Sequence, residues 1–346
     1  MEKPNVKSMS PDGLRALLVE KGLPRYRADQ IRTWLAAGVS DFEQMTNLPV
    51  SLRKQLDEWF SAGSVQIARR LVSALDGTVK YLFRLQDGET VESVLMSYKH
   101  GFSQCISTQV GCKMGCTFCA TGMGGFIRNL SASEMYEQIE AAQKDRGIRV
   151  SSVVLMGMGE PLDNYDEVLR FLQMLGEGGS VQIGMRHVSL STCGLVDGIY
   201  RLMREKLQLT LSVSLHAPND AIRSQMMPVN RRYPIEELLA ACSEYATVTG
   251  RRISYEYAMV GGVNDSDACA RELADRLRGT LCHVNLIPVN AVSGKQQHPS
   301  SRARIQAFQN ILEKNGITAT VRRTLGADIN ASCGQLRRAA DQKERK

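Results

Sequence analysis

Apolar positions in the first sixty residues recur at helical spacing. Ser10 followed by PDGLRALLVEKG combines a capping hydroxyl, a proline at the first helical position and a glycine stop. RYRADQIRTWLAAG and PVSLRKQLDEWF fit a second and a third short helix. The period then changes. VQIARRLVSA and TVKYLFRL flank Asp76-Gly77, a hairpin signal, and VESVLMSY continues as a strand. From about residue 100, apolar strand-like runs (SQCISTQV, SSVVLM, RHVSLST, LTLSVSL, ISYEYAMV, HVNLIPV, ITATVRR) are interspersed with helical ones (SASEMYEQIEAAQK, YPIEELLAACSEYA, DSDACARELADRLR, SRARIQAFQNILEKNG). Such alternation predicts an α/β fold of parallel strands with crossover helices, closed as a barrel or left as an open sheet. Its active site is expected at the C-terminal ends of the strands. The pattern divides the chain into a helical unit over 1–62, a β-hairpin linker over 63–97, a large α/β unit over 98–336 and a basic tail over 337–346.

Composition changes this picture in two ways. No apolar run approaches the roughly 20 residues of a membrane span, and MEKPNVKSMSPDG lacks the apolar stretch of a signal peptide. The expected compartment is therefore the cytoplasm, where thiols stay reduced. Nine cysteines there point to metal or catalytic use for some of them. The net charge is +7, and the last 46 residues carry ten Lys or Arg against four Asp or Glu. A concentrated basic segment suits a polyanion such as RNA, although it also serves as a solubilising tail.

The sharpest chemical signal is GCKMGCTFCATG, in which Cys112, Cys116 and Cys119 are spaced C-x3-C-x2-C. Thiolates are soft ligands for iron–sulfur clusters and zinc. Gly111, Gly115 and Gly122 disfavour a helix and favour a ligand loop. Three ligands on a four-iron cluster leave one iron open, as catalysis requires; a closed zinc site with Cys105 as fourth ligand is the structural alternative. MGMGEP follows an apolar strand, and its glycines allow backbone to approach a ligand. Ser191, Ser214, His216 and Asn290 fall at strand ends, where each alone reads as a turn or cap residue. Cys105 and Cys333, taken singly, read as buried filler, and Glu92 as an exposed strand carboxylate. Cys193, Cys242, Cys269 and Cys282 fall in strand or helix patterns and are expected to be structural.

At the triad the chain resembles the radical S-adenosylmethionine (SAM) superfamily. With its surroundings it is similar to the RlmN/Cfr family of RNA adenosine methyltransferases. The matching stretches are CISTQVGCKMGCTFCATGMGGFIRNL, VVLMGMGEPLDNYDEV, VSLSTCGLVDGI, SLHAPND, MPVNRRYPI, GVNDSDACA, NLIPVN and GADINASCGQL, all within residues 92–336. The resemblance implies a partial (β/α)6 TIM-like barrel over 98–336, with the first 62 residues a helix-hairpin-helix-like accessory unit for RNA. It implies one 4Fe–4S cluster on Cys112, Cys116 and Cys119, and SAM held by Gly159, Glu160, Ser191, Ser214, Leu215, His216 and Asn290. It further implies that Cys333 carries the methyl group as an S-methylcysteine, that Glu92 accepts the ring proton, and that Cys105 resolves the protein–RNA link through a transient disulfide. GEPL and IPVN look closer to the RlmN branch, which methylates carbon 2 of an adenosine in 23S rRNA and in tRNA, than to Cfr, which methylates carbon 8 of the same rRNA base. A flavodoxin-type electron donor, a monomeric state and the absence of membrane partners complete the expectations. A non-enzymatic, zinc-bearing RNA-binding protein is the alternative from another class.

Overall fold

The computed structural model describes residues 3–289 and 298–331. Three helices open the chain: α1 (Pro11–Glu20), α2 (Tyr26–Ala36) and α3 (Val50–Trp59). The Ser10 hydroxyl accepts from the Gly13 N–H, so the cap read in the sequence is present. These helices share their own apolar core, including Leu14, Leu18, Ile31, Phe42, Leu52 and Leu56. The unit is fastened to the larger body by buried polar contacts. Lys7 Nζ lies 2.5 Å from Glu140 Oε2, and Asn5 Nδ2 donates to Glu137 Oε1 at 2.7 Å.

Three antiparallel strands follow, β1 (Gln66–Val72), β2 (Val79–Arg84) and β3 (Thr90–Tyr98). β4 (Gly101–Cys105) pairs antiparallel with β3 and then opens the α/β region. The run SQCISTQV is not one strand: it breaks after Cys105, and β5 (Gln109–Gly111) pairs with β6 (Phe126–Asn129) in a separate ribbon. Units then follow in order: α4 (Ala132–Arg146), β7 (Val150–Leu155), α5 (Tyr165–Met174), β8 (Val188–Thr192), α6 (Val196–Arg204), β9 (Thr210–Ser214), α7 (Asp220–Met226), α8 (Ile235–Thr249), β10 (Ile253–Met259), α9 (Asp267–Leu277), β11 (Cys282–Pro288), α10 (Arg302–Lys314) and β12 (Ala319–Val321). Helix starts obey local chemistry. Ser131 and Glu134 close a capping box on α4, and Gly147 ends that helix in the left-handed conformation.

One ten-stranded sheet results, in the order β1-β2-β3-β4-β7-β8-β9-β10-β11-β12. From β4 to β12 all neighbours are parallel. Six strand–helix units plus a seventh strand therefore form the partial barrel, and the ladder is open among the described residues. The hairpin read as a linker is continuous with this sheet and extends it antiparallel beyond β4. Its inner face consequently becomes wall for whatever the barrel encloses. Among the described residues no helix is long and apolar enough to cross a membrane.

Candidate active site

Strands β7 to β12 all end at one cavity of about 380 Å³. From β7 come Leu155 through Gly157, Gly159 and Glu160; from β8, Ser191, Thr192 and Cys193; from β9, Ser214 and His216. β10 contributes Glu256 and Ala258, β11 the stretch Ile287–Val289, and Arg322 through Leu325 follow β12. Val94, Met96 and Tyr98, alternate residues on β3, close one side. The loop between β5 and β6 closes another with Cys112, Met114, Cys116, Phe118, Cys119 and Ala120.

That loop is held at its base. Gly111 has φ +79°, and a Cβ there would lie 1.9 Å from the Gly125 carbonyl oxygen, so no other residue fits. The Cys112 N–H donates to that carbonyl at 2.9 Å, and the Thr117 N–H donates to Met226 O at 2.9 Å. The Phe118 ring meets the His216 ring edge-on, 4.8 Å between centroids. Burial pushes the Cys112 thiol up to about 11 and the Cys116 thiol up to about 12, reinforced by the neighbouring thiols and Glu160. Neutral thiols thus persist there unless a cation takes them as thiolates, releasing protons.

The donor set fits a cluster better than a single ion. Three soft sulfurs, on Cys112, Cys116 and Cys119, face one cavity, and three thiolates suit a four-iron cluster that keeps one iron open. The zinc alternative required Cys105 as fourth ligand. Cys105 instead sits at the end of β4, 7% exposed, in the wall behind the lining residues and outside the loop that carries the other three thiols. No disulfide joins the eight described cysteines.

The segment Met156–Glu160 crosses tightly over the chain leaving β4. Gly159 has φ +103°, and a Cβ on it would come within 2.6 Å of Gln109. Glu160 is buried, and its carboxylate accepts from the Leu162 N–H at 3.0 Å and the Cys193 N–H at 2.7 Å. Burial raises its pKa, opposed by these donors. Glu160 lines the cavity with its carboxylate fixed by these two main-chain donors, which suits an ammonium-binding role.

The strand-end residues separate on inspection. Ser191, Ser214 and His216 line the cavity, as does Gly159. Leu215 does not: its side chain is fully buried, and its main chain bonds Glu256 O and Arg223 Nε. Asn290 and Cys333 lie outside the described residues. Cys193, expected to be structural, lines the cavity. Glu256 was not singled out by the sequence. It is 3% exposed, lines the cavity, and accepts from Asn285 Nδ2 at 2.7 Å. Its only sequence signal is a carboxylate in an otherwise apolar strand. Arg223 was also missed. Fully buried beneath the cavity, it donates to the carbonyls of Cys193 and Leu215 and so ties together the ends of β8 and β9.

Glu92 and Cys105 occupy the wall rather than the cavity lining. Glu92, Val94 and Met96 share one face of β3, and Cys105 is the cross-strand partner of Val94, so all four point the same way. Lys80 Nζ lies 3.5 Å from Glu92 Oε1, both side chains being buried.

His216 adopts φ +59°, uncommon for a side-chain-bearing residue. Its Nδ1 accepts from the Ala258 N–H at 3.0 Å, which requires a neutral ring. Burial, assisted by Arg223, lowers its pKa from 6.5 to about 3. The unfolded chain therefore binds the extra proton first. Stability from this group is full above pH 6.5 and lost as pH falls toward 3. In cluster-free protein, the stability advantage of wild type over His216→Asn should shrink by up to about 3 kcal/mol between pH 7 and pH 4, read from urea midpoints. An unchanged difference would show that the ring is not buried neutral.

Comparison with known proteins agrees with this geometry. Residues 106–274 match the radical SAM superfamily, and residues 4–61 match the ribosomal RNA large subunit methyltransferase N-terminal domain. The "probable dual-specificity RNA methyltransferase RlmN" of Pelotomaculum thermopropionicum is 52% identical over 336 residues, 96% of this chain and 91% of that protein. The chain belongs to the RlmN family of radical SAM RNA methyltransferases. The protein of the same description from Alkaliphilus oremlandii is 51% identical, covering 98% of both chains. A solved radical SAM methyltransferase from Sphaerobacter thermophilus superposes with TM-score 0.91 at 46% identity, covering 96% of this chain and 98% of that one. As a member of this family the protein uses a 4Fe–4S cluster and SAM. The N-terminal match coincides with the helices that carry their own core.

Proposed function

We propose that this protein methylates carbon 2 of adenosine in RNA, at adenine 2503 of 23S rRNA and adenine 37 of tRNAs, through a methylated Cys333. The observation that carries the reading is the convergence of three loop thiols, the Gly159–Glu160 turn and the ends of β8 and β9 on one cavity walled by the Glu92–Cys105 face. Cys112, Cys116 and Cys119 would hold the cluster; Gly159, Glu160, Ser191, Ser214, His216 and Asn290 would hold SAM, with Leu215 contributing main chain alone. Together, the bound cluster and SAM supply one-electron chemistry, which an electron-poor ring carbon needs because it is no nucleophile.

The chain's own residues then have separate tasks. Cys333 carries the methyl carbon and becomes bonded through it to the base. Glu92 accepts the proton released from the ring carbon. The Cys105 thiolate attacks the Cys333 sulfur; the sulfur–carbon bond breaks as a disulfide forms, its electron pair passes to the methylene carbon, that carbon takes up a proton to become the methyl group, and the methylated base leaves. Reduction of that disulfide by an external thiol resets the enzyme. Arg322 and exposed Arg323 at the cavity edge and the basic residues 337–346 supply positive charge for phosphates, with the helical unit over 1–62 as an accessory contact, so RNA affinity should fall steeply with salt. The target base must leave its stack to enter the cavity. A cytoplasmic monomer served by a flavodoxin-type donor completes the proposal.

Mass spectrometry of nucleosides from cells lacking the protein tests it. Loss of 2-methyladenosine from rRNA and tRNA is the expected outcome. Loss of 8-methyladenosine instead would assign the carbon-8 reaction, and an unchanged profile would refute both.

A further inference from the structure

The cavity does not account for Lys80. This lysine sits on β2 with its side chain 1% exposed, its Cα paired with that of Val94. Its ammonium lies 3.5 Å from Glu92 Oε1 and donates to the Asn330 carbonyl at 2.8 Å. A buried lysine–carboxylate pair gives little net stability, because desolvating two charges offsets their attraction. Its second contact is therefore the informative one. Asn330 precedes Cys333 by three residues, a span of at most about 11 Å.

Two further contacts hold the same stretch. The Asp328 carboxylate accepts from the Ser73 hydroxyl at 2.6 Å and from the Ala74 N–H at 2.8 Å. Asp76 Oδ2 accepts from the Gly326 N–H at 2.8 Å. Each partner lies some 250 positions away in sequence, on β2 or in the turn that joins it to β1. Asp76-Gly77, first read only as a hairpin turn, is part of this contact.

We infer that Lys80 and the β1–β2 turn form a dock that registers the segment preceding Cys333 against Glu92 and Cys105. Lys80 is the central positioning residue: one ammonium orients the carboxylate and anchors the thiol-bearing chain. Asp328 and Asp76 fix the direction from which that chain arrives. The inference rests on the roles proposed above for Cys333, Cys105 and Glu92.

The test is the equilibrium between the two thiols and glutathione in full-length holoenzyme, isolated without oxygen and shown by peptide mass to carry Cys333 as the free, unmethylated thiol. The ratio of reduced to oxidised glutathione that half-forms the Cys105–Cys333 disulfide gives their effective concentration, with peptide mass spectrometry identifying the bond. Lys80→Met should lower that effective concentration at least about tenfold, and Lys80→Arg should restore most of it, because an arginine can also meet a carboxylate and a carbonyl. Asp328→Asn, at an exposed turn where the sheet core is untouched, should lower it about threefold or more, and decides the matter if Lys80→Met does not fold. Wild-type values in both Lys80→Met and Asp328→Asn would overturn the dock alone. Failure of the wild-type protein to form this disulfide at all would remove the thiol pairing, and the proposed function's last step with it.

Discussion

Cys105→Ala should accumulate protein covalently joined to RNA and lose multiple turnover by at least about a hundredfold, a barrier increase near 2.7 kcal/mol. Cys105 is small and buried, so its loss removes little packing and leaves the sheet intact. In the proposed reaction it removes the attacking thiolate, without which the sulfur–carbon link has no partner for exchange. The adduct is seen as a species on denaturing gels that nuclease shortens. Cys333→Ala should give no adduct, since it lacks the sulfur proposed to link the chain to the base. An adduct of equal yield in Cys333→Ala would overturn the assignment of that residue.

The second large effect concerns the loop between β5 and β6. Cys112→Ala should bring iron and acid-labile sulfide per chain close to zero and abolish methylation, while the unfolding free energy of the cluster-free chain changes by less than about 1 kcal/mol. Cys112 is partly buried and lies outside the set of buried core side chains, so its replacement removes little packing. Iron, sulfide and visible absorbance on anaerobically reconstituted protein are the measurements. Wild-type protein that binds zinc and no iron would end the cluster reading, and a Cys112→Ala protein with full iron content would remove Cys112 from the ligand set.

Much of the site was legible because its chemistry is local. The C-x3-C-x2-C spacing and its glycines belong to one loop, and a loop's ligands are neighbours in the chain. Gly159 and Glu160 follow directly from an apolar strand, so a close turn was predictable. Ser191, Ser214 and His216 were placed at strand ends by periodicity, and parallel strands bring such ends together. The same reasoning could not separate Leu215 from its neighbours. Whether a strand-end side chain faces the cavity or the core depends on local twist: His216 turns inward through a left-handed backbone while Leu215 turns into the core. Periodicity likewise failed for Cys193 and Glu256, which occupy apolar runs yet face the cavity.

By itself, the sequence determined the three N-terminal helices with the Ser10 cap, the hairpin turn, the α/β alternation with four of its helices, and the cysteine-bearing loop, whereas the helices α5, α6 and α7 were not read from it. The elements it determined depend on interactions across a few residues, where the helical and strand periods and the conformational freedom of glycine are sufficient. Only the tertiary structure decided that the hairpin joins the main sheet, that Lys80 meets Glu92, and that residues 326–330 lie on the turn after β1. Those contacts join positions up to some 255 residues apart. Their geometry is set by strand order and register, which no local pattern encodes.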